Sequence, residues 1–72
     1  MCLALPGKII GIDSMRELPM ADVDFGGVIQ RVCLAYTPDA EIGDFILVHV
    51  GFSLRILDAQ QVQSTLDLIE EL

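Results

Sequence analysis

The residues best suited to chemistry in this chain are Cys2, Cys33 and His49. Cys2 directly follows the initiator methionine, where chain ends usually fray and where no packed core requires a thiol. Because methionine is commonly removed ahead of a small side chain, we expect the mature protein to begin with Cys2. Its free α-amino group would then favour the thiolate, the form of cysteine that ligates metals and attacks electrophiles. Sulfur and amine together could also chelate a metal ion.

Each of these residues also has an interpretation without chemistry. Cys2 could be an incidental terminal cysteine, although Pro6-Gly7 fixes the path of the chain behind it. His49 lies among valines, where its ring either bonds to the backbone or acts as a metal ligand, a proton acceptor or a partner that orients Cys2. Cys33 is typical of a small, half-buried hydrophobic residue. Since these residues cannot complete a closed zinc site, any metal would be shared with a partner or held transiently.

Length and composition favour a binding protein over an enzyme. The 72 residues allow one domain, 1–72, with little room for a deep substrate pocket. The apolar fraction of 53% is above the usual ~45–50%, so part of this surface is expected to meet a partner. Eleven acidic and four basic residues give a net charge of −7, which argues against binding to nucleic acid or to an anionic membrane.

The sequence predicts a cytoplasmic protein. The apolar stretch at the N-terminus is too short for a signal peptide, and no apolar run approaches the ~20 residues of a membrane helix. Two cysteines are too few for the disulfide framework of a small secreted domain. We therefore expect both thiols to be reduced.

Five short strands are predicted to position the candidate residues. They are Lys8 to Asp13, Ala21 to Phe25, Val28 to Ala35, Asp44 to Phe52, and Ser53 to Leu57. Gly26-Gly27 predicts a two-residue hairpin turn between the second and third strands. Residues 36–43 predict a loop, and Gly51 indicates a bend or bulge at a barrel corner.

The C-terminal segment has helical periodicity. Asp58 and Gln61 form a capping-box pattern ahead of an apolar stripe. The stripe consists of Val62, Leu66, Ile69 and Leu72. The predicted fold is mainly β: a small OB-like barrel over about residues 1–57, with a C-terminal helix over about 59–71. The residues expected in the barrel core are Val23, Phe25, Val32, Ile46 and Val48.

Several segments resemble one known family. "MCLALPGKI" is similar to the N-terminal signature of the HypC/HupF family of hydrogenase maturation chaperones. "VDFGGVIQRV" resembles the central hairpin of that family, and "GDFILVHVGFSLRILD" resembles its second hallmark. "QSTLDLIEEL" is similar to its closing helix, so the resemblance covers essentially the whole chain.

The resemblance implies a specific function that is not enzymatic. Family members act with HypD, an iron–sulfur protein, while an iron atom carrying two cyanides and one carbon monoxide is assembled. They then escort this iron unit to the large-subunit precursor of [NiFe]-hydrogenase. Cys2 matches the essential cysteine of the family, and His49 matches its histidine, as a metal ligand or as a residue behind the ligand. Carbon dioxide has also been proposed to associate with the family as a carbonyl source.

The implied partner-binding residues lie near the N-terminus. They are Cys2, Leu3, Ala4, Leu5, Pro6, Gly7 and His49. The bound iron is expected to be transient and shared with the partner, and the chain alone is expected to be a monomer or a weak homo-oligomer. Two other classes remain open: a thiol enzyme with an N-terminal cysteine nucleophile, and a self-assembling scaffold in which Cys2 is incidental.

Overall fold

Five strands close into a barrel in the computed structural model, which describes residues 4–13 and 17–63. The strands are β1 (Leu5–Asp13), β2 (Met20–Asp24), β3 (Ile29–Cys33), β4 (Phe45–His49) and β5 (Phe52–Leu57). Their order around the barrel is β1-β2-β3-β5-β4, and every neighbouring pair is antiparallel except β3 and β5. A helix, α1, begins at Ala59 and is described as far as residue 63. The predicted fold class is therefore confirmed.

The β2–β3 hairpin turns at Gly26-Gly27, as predicted. Both glycines have positive φ, 82° and 107°, which a type I′ turn requires and which side chains disfavour. The Phe25 N–H donates to the Val28 carbonyl at 2.8 Å. The carboxylate of Asp24 accepts a hydrogen bond from the Gly27 N–H at 2.7 Å. One backbone bond and one side-chain bond therefore stabilise the turn.

Two predicted strand bounds are wrong in an informative way. β1 begins at Leu5 rather than Lys8, because Leu5 to Lys8 already pair with β4. The predicted strand from Asp44 to Phe52 is divided at Val50-Gly51. Both residues have positive φ, 52° and 78°, and form a two-residue turn between β4 and β5. Gly51 therefore belongs to a tight hairpin turn and not to a bend within one strand.

The barrel interior holds a small aliphatic core. Its buried members are Ile9, Ala21, Val23, Val32, Leu34, Ala40, Ile46 and Val48. Four of the five predicted core residues are among them. Phe25 is only half-buried and packs against this core from its edge, because it follows the end of β2 and leads directly into the hairpin turn. The prediction that Phe25 lies inside the barrel is therefore wrong.

The loop over residues 36–43 is tied to the barrel at two points. The buried Thr37 hydroxyl donates to the buried Ser53 hydroxyl at 2.8 Å, which satisfies two polar groups that would otherwise be costly to bury. At the other end, the Gly43 N–H donates to the Ile9 carbonyl at 2.8 Å, and the Ile9 N–H donates to the Asp44 carbonyl at 2.9 Å. The loop thereby connects β3 to β4 without leaving the barrel surface.

The start of α1 has the predicted capping box. The Asp58 carboxylate accepts from the Gln61 N–H at 2.7 Å, and the Gln61 side-chain oxygen accepts from the Asp58 N–H at 3.0 Å. The Val62 N–H donates to the Asp58 carbonyl at 3.0 Å, and the Val62 side chain is half-buried. The rest of the predicted stripe, Leu66, Ile69 and Leu72, lies outside the described residues.

Gly7 makes a testable contribution to stability. It is buried in β1, and a Cβ there would lie 2.8 Å and 3.0 Å from ring atoms of Phe25 and would overlap Val23. We expect Gly7→Ala to lower the free energy of unfolding by about 1–3 kcal/mol, the usual effect of overpacking. Gly11→Ala is the matched control, because its nearest neighbour would be a carboxylate oxygen of Asp22 at 3.6 Å. Urea unfolding of both variants tests this, and equal stabilities would contradict it.

Candidate functional site

The predicted N-terminal site is described from Ala4 onward; Cys2 and Leu3 lie outside the described residues. Burial increases over the first three residues of β1: Leu5 is 43% exposed, Pro6 is half-buried and Gly7 is buried. Leu5 pairs with Val48 of the antiparallel β4. The start of β1 is thus fixed by backbone pairing, while its first side chain remains accessible.

His49 lies at the same end of the barrel. It is the last residue of β4, directly after Val48, and its side chain is half-buried. It pairs with Phe52 of β5, whose ring lies 5.7 Å from that of Tyr36 between centroids. The fold therefore brings the end of β4 that carries His49 next to the N-terminal end of β1, although they are far apart in sequence.

An apolar groove, the N-terminal groove, lies between the start of β1 and α1. It has a volume of about 360 Å³. It is lined by Leu5, Pro6, Gly7, Asp24, Phe25, Gly26, Phe45 and Val62. Asp24 is the one charged residue in this lining, so the groove is apolar with an acidic rim. Three of the predicted partner-binding residues, Leu5, Pro6 and Gly7, form its wall.

A second groove, the seam cleft, opens where the barrel wall is incomplete. β3 and β5 meet only at Cys33 and Phe52, and the Cys33 N–H donates to the Gly51 carbonyl at 2.9 Å. On the N-terminal side of Cys33, β3 is no longer paired with β5, and a cleft of about 390 Å³ lies between β3 and the turn at Val50-Gly51. It is lined by Leu5, Phe25, Val28, Gln30, Val48, Val50 and Gly51, none of them charged. Leu5 and Phe25 line both grooves and form the ridge between them.

Two residues of this region were not identified from the sequence. Phe25 was expected in the core, yet it separates the grooves; its position beside the Gly26-Gly27 turn was the available signal. Val50 was expected inside a strand, yet it is 71% exposed at the tip of a turn. Only the glycine that follows it indicated a turn, and valine itself argues against one.

The Arg31 side chain is engaged on the outside of the barrel. The Arg31 guanidinium lies 3.2 Å from an Asp13 carboxylate oxygen and 3.7 Å from one of Asp22. For Asp24, by contrast, the described residues supply no ion pair within 4.0 Å, although Lys8 lies opposite it on β1.

The remaining candidates are placed as follows. Cys33 is 6% exposed, more enclosed than the half-buried position predicted for it, and within the described residues its thiol is not in a disulfide. Over residues 4–13 and 17–63, no group of three or more His, Cys, Asp or Glu side chains is arranged to hold a metal ion. In the same residues no helix is long and apolar enough to cross a membrane.

These features define a class: small OB-like barrels followed by a C-terminal helix, with accessible apolar grooves beside the first strand. Within that class, the chain belongs to the HupF/HypC family, whose model matches residues 1–69. The resemblance in the sequence motifs is thereby confirmed.

Individual relatives match almost the entire chain. It is 45% identical over 73 residues to the hydrogenase maturation factor HypC of Synechocystis sp., with 97% of this chain and 96% of that protein covered. It is 35% identical over 72 residues to HypC of Cupriavidus necator, covering 100% of this chain and 77% of that protein. With the hydrogenase maturation factor HybG of Escherichia coli, identity is 30% over 77 residues, covering 100% and 92%.

The turn at Val50 gives a prediction about stability. A β-branched residue with φ of 52° is strained, and the left-handed conformation costs about 1–2 kcal/mol for most side chains. Asparagine tolerates this conformation, so Val50→Asn is expected to raise the free energy of unfolding by about 1 kcal/mol. Val28→Asn is the control, since Val28 is 59% exposed but has no positive φ. Thermal unfolding tests both; a gain for Val28→Asn and none for Val50→Asn would contradict the account of strain.

Proposed function

We propose that this chain is a cytoplasmic hydrogenase maturation factor that carries iron as cargo and catalyses no reaction. Through Cys2, and together with a HypD-type iron–sulfur protein, it holds an iron atom bearing two cyanides and one carbon monoxide. It then delivers this unit to the large-subunit precursor of a [NiFe]-hydrogenase. The main support is the family match over residues 1–69, which includes the N-terminal signature with Cys2.

The chemistry of the ligand supports a carrier role. A thiolate is a soft ligand and suits low-spin iron. One thiolate from this chain leaves the other positions on the iron to the cyanides, the carbon monoxide and the partner protein. Because a single protein bond holds the cargo on this side, the iron can be released when another protein offers more ligands. Firm chelation by several side chains would oppose transfer.

The position of Cys2 supports contact with a partner. Cys2 precedes Leu5 by three residues, so its α-carbon lies within about 11 Å of that of Leu5 whatever path the chain takes. A protein that shares the iron must therefore approach the ridge formed by Leu5 and Phe25. The N-terminal groove on one side of this ridge offers apolar surface with an acidic rim at Asp24. Apolar anchors on the partner would bury their side chains there.

His49 is proposed to tune this site. Its half-buried ring lies at the end of the barrel where β1 begins. From there it can orient the thiolate or a ligand on the iron by a hydrogen bond, since imidazole both donates and accepts. Direct ligation of the iron is the other role open to His49. Removal of the ring would shift the infrared bands of the bound iron in the first role and abolish them in the second.

The decisive prediction concerns Cys2. Cys2→Ala removes the ligand and Cys2→Ser replaces a soft thiolate with a hard hydroxyl, so both variants are expected to abolish hydrogenase maturation and co-purification of iron. The assay is hydrogenase activity in a strain that lacks its own chaperone, complemented with each variant, together with the iron content of the purified protein.

The controls separate this role from folding. Cys33→Ala removes the other thiol and is expected to keep maturation, as is Arg16→Ala, at a position outside the described residues. The thermal unfolding of the Cys2 variants is expected to equal that of the wild type, because a terminal residue adds little to the core. Wild-type activity with Cys2→Ala would refute the carrier proposal and favour a scaffold role.

The prediction for His49 uses a spectroscopic readout. His49→Ala is expected to reduce maturation less than Cys2→Ala does and to keep the cyanide and carbon monoxide infrared bands of the co-purified iron, at shifted frequencies. His49→Gln, which retains a hydrogen-bonding group, is expected to shift them less. Loss of the bands in both variants would instead make His49 an iron ligand.

A further inference from the structure

The backbone of β3 is paired on one side only for most of its length. Residues of an antiparallel ladder direct their N–H and C=O groups alternately to opposite neighbours. The bond between Phe25 and Val28 fixes this alternation, so Ile29, Arg31 and Cys33 direct theirs away from β2. Cys33 uses its N–H at the contact with Gly51.

Ile29 and Arg31 have no such contact. Across residues 4–13 and 17–63, the only pairing of β3 on that side is the one between Cys33 and Phe52. The N–H and C=O groups of Ile29 and Arg31 therefore form an open strand edge. Natural proteins usually block such edges with charge, proline or a bulge. Here the charge of Arg31 is engaged on the outer face by Asp13 and Asp22.

The open edge borders the seam cleft. Val28 and Ile29 are each 59% exposed on the β3 side, and Val50 is 71% exposed on the opposite side. Val50 keeps this position in spite of its positive φ. Strained residues of this kind persist where the surrounding structure enforces them and are concentrated at functional positions. An unpaired edge and an uncharged, apolar cleft thus lie side by side.

The charges favour a basic occupant over a second copy of this chain. Asp24 on β2 lies opposite Ile29 on one side and opposite Lys8 on the other, and the described residues supply it with no ion pair within 4.0 Å. The whole chain carries −7, so two copies meeting at this edge would bring carboxylates and net negative charge together. A foreign segment with Lys or Arg beside its apolar residues would instead be attracted by the net negative charge of this chain.

We propose that the β3 edge and the seam cleft bind an extended, apolar, lysine- or arginine-flanked segment of a partner protein by strand addition. The segment pairs with Ile29 and Arg31 through its backbone, and its alternate side chains enter the cleft against Val50 and Leu5. This docking site goes beyond the iron-carrying function, because it requires neither Cys2 nor a metal.

The test uses a defined peptide and amide hydrogen exchange. The probe is a short synthetic peptide of alternating valine and threonine, capped at both ends, with a lysine at each end. At saturating peptide, exchange of the Ile29 and Arg31 amides is expected to slow by about tenfold or more, since newly bonded amides exchange only on opening. The Gln30 amide faces β2 and is expected to stay unchanged.

Matched variants identify the cause. Ile29→Pro removes the edge donor and is expected to abolish binding, whereas Ile29→Thr keeps it and is expected to bind. If Ile29→Pro does not fold, the test uses the same peptide with its valines N-methylated. This peptide lacks the valine N–H donors and is expected not to bind. Replacing both lysines with glutamate is expected to weaken binding at least several-fold and to reverse its salt dependence, because added salt then screens repulsion from the negatively charged chain.

Three results would overturn the proposal. One is binding of the N-methylated peptide as tightly as the unmodified peptide. Another is unchanged exchange at Ile29 and Arg31 in saturating peptide. The third is protection of these amides without peptide that increases with protein concentration, which would assign the edge to a second copy of this chain.

Discussion

The barrel is closed by one short contact between parallel strands, and most features of the end that carries His49 depend on that contact. Cys33 at the end of β3 meets Phe52 at the start of β5, and the Cys33 N–H binds the Gly51 carbonyl. All other strand pairs share longer antiparallel ladders. Because the seam is short, β3 cannot be covered along its whole length, and the wall opens below Cys33.

This geometry accounts for the turn at Val50-Gly51. The chain has to reverse direction immediately after β4 ends at His49, because only then do Gly51 and Phe52 lie beside Cys33. A two-residue turn with two positive φ values provides this reversal, and valine at its first position is the strained residue. The same reversal exposes Val50 above the cleft and leaves His49 beside the start of β1. Closure of the barrel, strain in the turn and placement of the histidine are thus consequences of one topology.

Local signals in the sequence predicted the elements that depend on local interactions. Gly26-Gly27 defined a hairpin and Asp58 with Gln61 defined a helix start, because neighbouring residues supply the stabilising hydrogen bonds in each case. The start of β1 at Leu5 was not predictable in this way, since proline and glycine disfavour strands and only the distant β4 determines the pairing.

The same distinction applies to the site. Its apolar residues were visible in the sequence, but the exposure of Phe25 depends on where the barrel ends, which periodicity does not encode. The family motifs predicted Cys2 and His49, and the structure places His49 at the end of β4, beside the start of β1. For Cys2 the carrier role is a proposal based on the motif, the family and the chemistry of the thiolate.

The two-residue turns at Gly26-Gly27 and Val50-Gly51 have a consequence for how tightly this end of the barrel can bind. Both turns, with the ridge of Leu5 and Phe25 between them, have backbones restricted by hydrogen bonds or by positive φ. A surface that is already ordered loses little conformational entropy when another molecule is seated on it. The surface formed by these two turns and the ridge is therefore preorganised, and the entropic cost of association falls mainly on the molecule that binds it. Affinity at this end should accordingly respond more to stiffening the partner than to stiffening the barrel.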